Sequence, residues 1–162
     1  MNLLLVRHGK AQKRGTVILD YDRKLLPKGI KKLKEDMPYL EEYLKGRANV
    51  VLWSSGVVRA METAEMIKQF CEIDRIDRYD FIENGDFDEL VYSLKKMDKN
   101  STIIIVGHEP YLSLWCKDIC REDVRFRKGA AVLIKILSKE KTTGKIQWVA
   151  EPGEYKKICK HV

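Results

Sequence analysis

The amino-acid sequence predicts an α/β protein, a three-layer α/β/α sandwich whose mostly parallel central sheet ends in an antiparallel edge. Three observations predict it. Short apolar runs such as Leu3-Leu4-Leu5-Val6, Val50-Val51-Leu52-Trp53 and Thr102-Ile103-Ile104-Ile105-Val106 have the length and apolarity of buried strands. Between them lie segments whose apolar residues recur at steps of three and four, the period of a helix packed on one face. Strands and helices alternate, the pattern of a parallel sheet covered by helices. At 162 residues, one domain over 1–162 is expected.

The first strand, over residues 3–6, ends at Arg7-His8-Gly9, and residues 12–23 have no period and read as a surface loop. Pro27 suits the first turn of a helix, which Ile30, Leu33, Met37, Leu40 and Leu44 continue with Lys and Glu on the other face. Pro38 inside that stripe predicts a kink or a break. A second strand over 50–53 closes at Ser54-Ser55-Gly56, and a helix follows over 58–70 with Met61, Ala64 and Ile67 in period. A third, poorer strand is expected over 77–82. Asp86 can cap a helix over 87–97, with Leu90, Val91 and Leu94 inward. The strand over 102–106 runs into Gly107-His108-Glu109-Pro110, and a helix is expected over 111–120, where Leu112, Trp115 and Ile119 read as core. Residues 130–137 and 145–149 read as a hairpin joined by a Gly144 turn. Gly29, Gly46 and Gly85 read as turn or cap residues.

Composition narrows the function. Apolar residues make up 44% and charged residues 34%, and 31 Lys and Arg against 24 Asp and Glu give a net charge of +7. That excess suits an anionic partner. No apolar run approaches the ~20 residues that span a bilayer, so no membrane association is expected. The apolar start is too short for a signal peptide and no small-residue cleavage site follows it. Cys71, Cys116, Cys120 and Cys159 form no CxxC pair, which speaks against a disulfide scaffold or zinc ribbon and fits a reducing, cytoplasmic location. Cys116 and Cys120, one helical turn apart, read as small core residues rather than metal ligands. Neither cofactor nor metal is expected.

The residues that could carry chemistry sit at strand ends. In an open α/β sheet the site lies beyond the carboxyl ends of the strands. Two of the three histidines, His8 and His108, each follow an apolar strand directly beside glycine, and Arg7 adjoins the first; His161, near the chain end, carries no such signal. Imidazoles and guanidiniums together suit a phosphoryl group. An Arg fork meets phosphate oxygens bidentately, a neutral imidazole can attack phosphorus, and clustered cations meet the charge of the transition state. Gly9 and Gly107 would let the backbone approach the phosphate. Arg59, at the start of the second helix, is either a further anion ligand or a solvated helix charge. Glu83 and Glu109 are the candidates for a general acid, each also readable as an ordinary turn or helix-start carboxylate.

Together these segments resemble the histidine phosphatase superfamily, the phosphoglycerate mutase-like fold. Arg7-His8-Gly9, then Ser54-Ser55-Gly56-Val57-Val58-Arg59-Ala60-Met61-Glu62-Thr63-Ala64, then Val106-Gly107-His108-Glu109-Pro110 are similar to its motifs, in the same order. The shortness of the chain, Asp22-Arg23-Lys24-Leu25-Leu26-Pro27-Lys28-Gly29 and Phe126-Arg127-Lys128-Gly129-Ala130 resemble the small SixA-type phosphohistidine phosphatase branch, although Leu26 and Pro27 depart from its pattern. The resemblance implies that His8 is the phosphorylated nucleophile and that Arg7, Arg59 and His108 complete the phosphate pocket. His8 must be neutral to attack, so activity is expected to fall at acidic pH. The small branch often lacks a clear acid, which fits phosphohistidine, whose imidazole leaves with less help than an alkoxide. The implied activity is a metal-independent phosphatase whose partner is a phosphorylated protein or a small phosphate ester. A non-catalytic phospho-ligand binder and a basic nucleic-acid-binding module are the alternatives. The second lacks a basic helix with interleaved aromatics, so no nucleic acid is expected.

Overall fold

The structure, a computed structural model, describes residues 1–161, the side chains of Lys160 and His161 excepted, so the reading of His161 falls outside it. Six strands, β1 (Asn2–Arg7), β2 (Val50–Ser54), β3 (Ile76–Arg78), β4 (Thr102–Gly107), β5 (Ala131–Ser138) and β6 (Thr143–Ala150), form one sheet in the order β3-β2-β4-β1-β5-β6. The pairs β1–β4, β2–β4 and β2–β3 are parallel, and β1–β5 and β5–β6 are antiparallel. The expected sandwich with an antiparallel edge is present.

Alternation along the central strands sorts side chains to two faces. Leu3 and Leu5 of β1 join Ile103 and Ile105 of β4 in one apolar cluster, while Leu4 and Val6 join Ile104 and Val106 in another. The first cluster is closed by α3 (Asp80–Asn84), α4 (Phe87–Lys95) and α5 (Tyr111–Cys120), through Phe81, Leu90, Leu112 and Trp115. The second is closed by α1 (Pro27–Leu44) and α2 (Val58–Phe70), through Met37, Leu40, Ala60, Ala64 and Ile67. Central strands covered on both faces must be apolar on both, which is why they read as unbroken runs.

A 3-10 segment, Tyr155–His161, lies against α1. Asp36, only 2% exposed, fastens it: its carboxylate accepts the amides of Gly153 (2.8 Å) and Tyr155 (3.4 Å). Asp36 sits on the apolar stripe of α1, three residues after Leu33 and four before Leu40, and that placement of a charge is its sequence signal.

Several expectations are corrected. The third strand ends at Arg78, and Asp80 starts α3. Phe81 and Ile82 are both buried in the same cluster, which consecutive strand residues on opposite faces could not achieve. The helix through Pro38 is unbroken because Pro38 lies on its exposed face, where the carbonyl it frees meets water. Gly144 lies within β6, opposite Ile136, and not in the turn. A Cβ on it would stand 2.6 Å from Ile134 Cγ2. Gly29 lies inside α1, where a Cβ would stand 2.4 Å from the Lys10 carbonyl, so close approach rather than a turn requires it. The helix after Asp86 stops at Lys95, and Met61 of α2 is only half-buried.

Candidate active site

Strand register brings the two histidines together. Arg7 of β1 pairs with Gly107 of β4, so the next residues, His8 and His108, leave adjacent strands side by side. The His8 amide donates to the Gly107 carbonyl (3.2 Å), and the Ser55 amide, at the end of β2, donates to Val106 (3.1 Å). Three neighbouring strand ends thus converge, with His8 and His108 ring centroids 5.2 Å apart.

Backbone and side-chain contacts define each ring's protonation. The Nδ1 of His8 lies 2.8 Å from the Gly9 carbonyl, which can only accept, so Nδ1 carries the hydrogen and Nε2 keeps a lone pair. Arg59 Nε donates to that Nε2 at 3.3 Å. His8 is 5% exposed and its pKa is pushed down to about 3, chiefly by burial. The bond to Gly9 opposes that shift, and the charges of His108, Arg59 and Arg7 add to it. His108 Nε2 lies 2.7 Å from Ser55 Oγ. The Val57 amide also donates to that hydroxyl (3.3 Å), so Ser55 ties the ring of His108 to the first residues after β2. Burial, with Arg59 and Arg7 adding, lowers the His108 pKa to about 4.

Two buried nitrogens beside this pair have no hydrogen-bond partner, Arg7 Nε and His108 Nδ1. The Arg7 Nε–H is a buried donor left unsatisfied, which is costly, and an anion in the cleft would relieve it. Arg7 is held from its other end by donating Nη1 to the Phe126 carbonyl (2.7 Å). The Gly129 amide donates to the Arg7 and His8 carbonyls at 3.1 and 3.0 Å, and Tyr155 Oη donates to the Gly129 carbonyl at 2.8 Å.

Arg59, 8% exposed, projects from the first turn of α2 into the site, not into bulk water. Its outward edge meets Asp20, with Nη2 3.4 Å from the carboxylate and Nη1 donating to the Asp20 carbonyl at 3.1 Å. Asp20 also pairs with Arg23 (2.8 Å). Thr63, one turn after Arg59, donates to the Arg59 carbonyl (2.8 Å) and accepts the Gly9 amide (3.1 Å), which locks α2 to the loop after β1.

These groups line a cleft of about 570 Å3. Arg7, Arg23 and Arg59 lie deep in it, and the exposed Lys10, Lys13, Arg14, Lys28 and Lys128 surround it. Gly9 and Gly107, expected against the phosphate, do not line it. Their missing side chains make room for Leu33, 2.6 Å from a Cβ on Gly9, and for Ile82, 3.1 Å from one on Gly107. Glu109 borders the cleft, but its carboxylate accepts the Ser113 amide (2.9 Å) and hydroxyl inside α5. Glu83 lies in α3 and does not line the cleft. Ser55, Asp20 and Arg23 were not singled out as site residues from sequence. Ser55 had a signal in its place at a strand end, while Asp20 and Arg23 sit in a loop without periodicity.

Arg7, Arg59 and His108 line one cleft with the unprotonated Nε2 of His8, and guanidiniums gathered with neutral imidazoles have the chemistry of a site for oxyanions. The family model of the histidine phosphatase superfamily (branch 1) matches residues 3–98, and this chain belongs to that superfamily. Among solved structures, the protein histidine phosphatase SixA complexed with tungstate superposes with a TM-score of 0.77 at 19% identity, covering 94% of this chain and 97% of that one. The putative phosphohistidine phosphatase SixA from Agrobacterium tumefaciens gives 0.74 at 18% identity over 93% and 97%. Phosphoserine phosphatase from Entamoeba histolytica in complex with 3-phosphoglyceric acid gives 0.64 at 16% over 96% and 98%. No curated protein sequence matches this chain.

Proposed function

We propose that this chain is a phosphatase that works through a covalent phosphohistidine on His8. The observation that carries the reading is the pair of buried, unpartnered nitrogens, Arg7 Nε and His108 Nδ1, beside a His8 Nε2 without a proton. In the first step Nε2 attacks phosphorus, the bond from phosphorus to the leaving atom breaks, and that atom takes a proton from solvent water. In the second, water attacks phosphorus, the P–N bond breaks, and phosphate leaves with His8 restored. Arg7, Arg59 and His108 meet the charge on the transferring oxygens, so the reaction as proposed asks for no metal. The likeness to SixA bound to tungstate, itself a tetrahedral oxyanion, supports this reading, as does membership of the superfamily. A phosphorylated protein, phosphohistidine above all, or a small phosphomonoester is the substrate, and the chain acts as one domain. Four unpaired cysteines suit the cytoplasm.

Turnover of p-nitrophenyl phosphate in EDTA tests it. His8→Ala is expected to abolish hydrolysis while the folded far-UV spectrum persists. Binding of phosphate without turnover by the unaltered protein would instead make it a phospho-ligand binder, and salt-dependent DNA retention without either would make it a nucleic-acid module. With Glu109 engaged by Ser113 and Glu83 away from the cleft, the leaving group departs without a protein acid. Glu83→Gln and Glu109→Gln are each expected to keep alkyl phosphate hydrolysis within about tenfold, below the 10²–10⁴-fold that general acid catalysis contributes. A larger loss at either position would restore that residue as the acid.

A further inference from the structure

A second recess, of about 290 Å3, adjoins the cleft and shares Lys10, Lys28 and Lys128 with it; Lys32 lines it as well. Among the described residues none of these four lysines has a carboxylate oxygen within 4.0 Å. The carboxylate that lines the recess, Asp36, is committed to the amides of Gly153 and Tyr155. Lys32 feels the Asp36 carboxylate, whereas Lys10, Lys28 and Lys128 repel one another with no carboxylate paired to them. The Lys10 pKa is lowered by the nearby Lys28 ammonium first, with Lys128 and Lys13 adding. Ammoniums gathered around a hollow and left unpaired create a potential that an anion relieves. The reacting phosphoryl does not supply that anion, since Arg7, Arg59 and His108 already account for it.

We propose that this recess is a subsite for a second phosphate, so that the preferred small-molecule substrate carries at least two phosphate groups, one transferred to His8 and one held by Lys10, Lys28 and Lys128. Phosphate fits better than carboxylate: it brings close to two negative charges and three acceptor oxygens to three ammoniums. The inference rests on the phosphatase reading of the cleft.

Competition against p-nitrophenyl phosphate hydrolysis in EDTA tests it, with inorganic phosphate, pyrophosphate and tripolyphosphate as inhibitors. In the unaltered protein tripolyphosphate is expected to inhibit at least tenfold more tightly than phosphate. In the variant carrying Lys28→Ala and Lys128→Ala, both at exposed positions, that ratio should fall below threefold. Lys95→Ala with Lys96→Ala removes the same charge from α4 and its end, and should leave the ratio as it was. A ratio near one in the unaltered protein, a ratio unmoved by the recess variant, or one lowered equally by the control would overturn the subsite. Absent turnover, or turnover that survives His8→Ala, would instead sink the phosphatase reading. Calorimetric titration of tripolyphosphate into the same three proteins and into Lys32→Ala, which changes a residue lining the recess alone, then reads binding without turnover; an affinity unmoved by all of these substitutions would overturn the subsite.

Discussion

The chemistry of His8 depends on one backbone carbonyl. The Gly9 carbonyl accepts the hydrogen bond from Nδ1–H, and the lone pair that the proposed attack requires is left on the ring nitrogen facing Arg59. Burial beside cations then keeps both site imidazoles neutral far below the usual histidine pKa, at about 3 for His8 and about 4 for His108. The acid limb of kcat/KM, after correction for the substrate's own ionisation, is therefore expected near pH 4 or below, lower than an ordinary histidine would place it. The same depression links to stability. Between the folded values and the ~6.5 of an unfolded histidine, the unfolded chain binds more protons. Stability supplied by the two neutral rings is complete above that pH and is lost as pH falls toward 3. Urea midpoints measured from pH 7.5 down to 4.5 should decline, and the decline should shrink when His8 and His108 are both replaced by Ala. A ring left charged across that range would shift the limb upward and flatten the stability slope.

At the scale of elements, the caps and strand ends set where the site residues emerge. Asp86 caps α4 by accepting the Glu89 amide at 3.2 Å, and Gly85 before it takes the left-handed conformation (φ 72°) that ends α3. Asp86→Ala should cost about 1 kcal/mol of stability, read from chemical denaturation, and leave kcat unchanged because α4 does not reach the cleft. Most of this layer was legible in the sequence. The residues at the ends of β1, β2 and β4 stood out because strands buried on both faces are continuous apolar runs that stop abruptly. The segment at Phe81-Ile82 was not legible, since two adjacent apolar residues fit either period until their common cluster is known. Pro38 misled because its cost depends on which face of the helix it occupies. Asp20 and Arg23 escaped because a loop held by ion pairs leaves no periodic trace. Ser55 was visible in position but not in role, since its partner His108 lies 53 residues away.

At the scale of the whole molecule, the sheet order places three parallel strands, β2, β4 and β1, edge to edge, so one crevice receives all their carboxyl ends. Around that crevice eight Lys and Arg residues line the cleft with one lining carboxylate, Glu109, while Asp20 pairs with Arg14, Arg23 and Arg59 from its edge. Such a field gathers anions from solution and is screened by salt. The kcat/KM for a dianionic phosphate ester should thus fall severalfold between 50 and 500 mM salt, with kcat nearly constant, in a steady-state series at fixed pH. Among the described residues no helix is long and apolar enough to cross a membrane.

Tyr155 belongs to no motif, yet its hydroxyl donates to the carbonyl of Gly129, the residue whose amide holds both the Arg7 and His8 carbonyls. A protein clipped after β6 would retain the residues 3–98 by which its family is recognised, and lose the prop beneath the loop that carries His8.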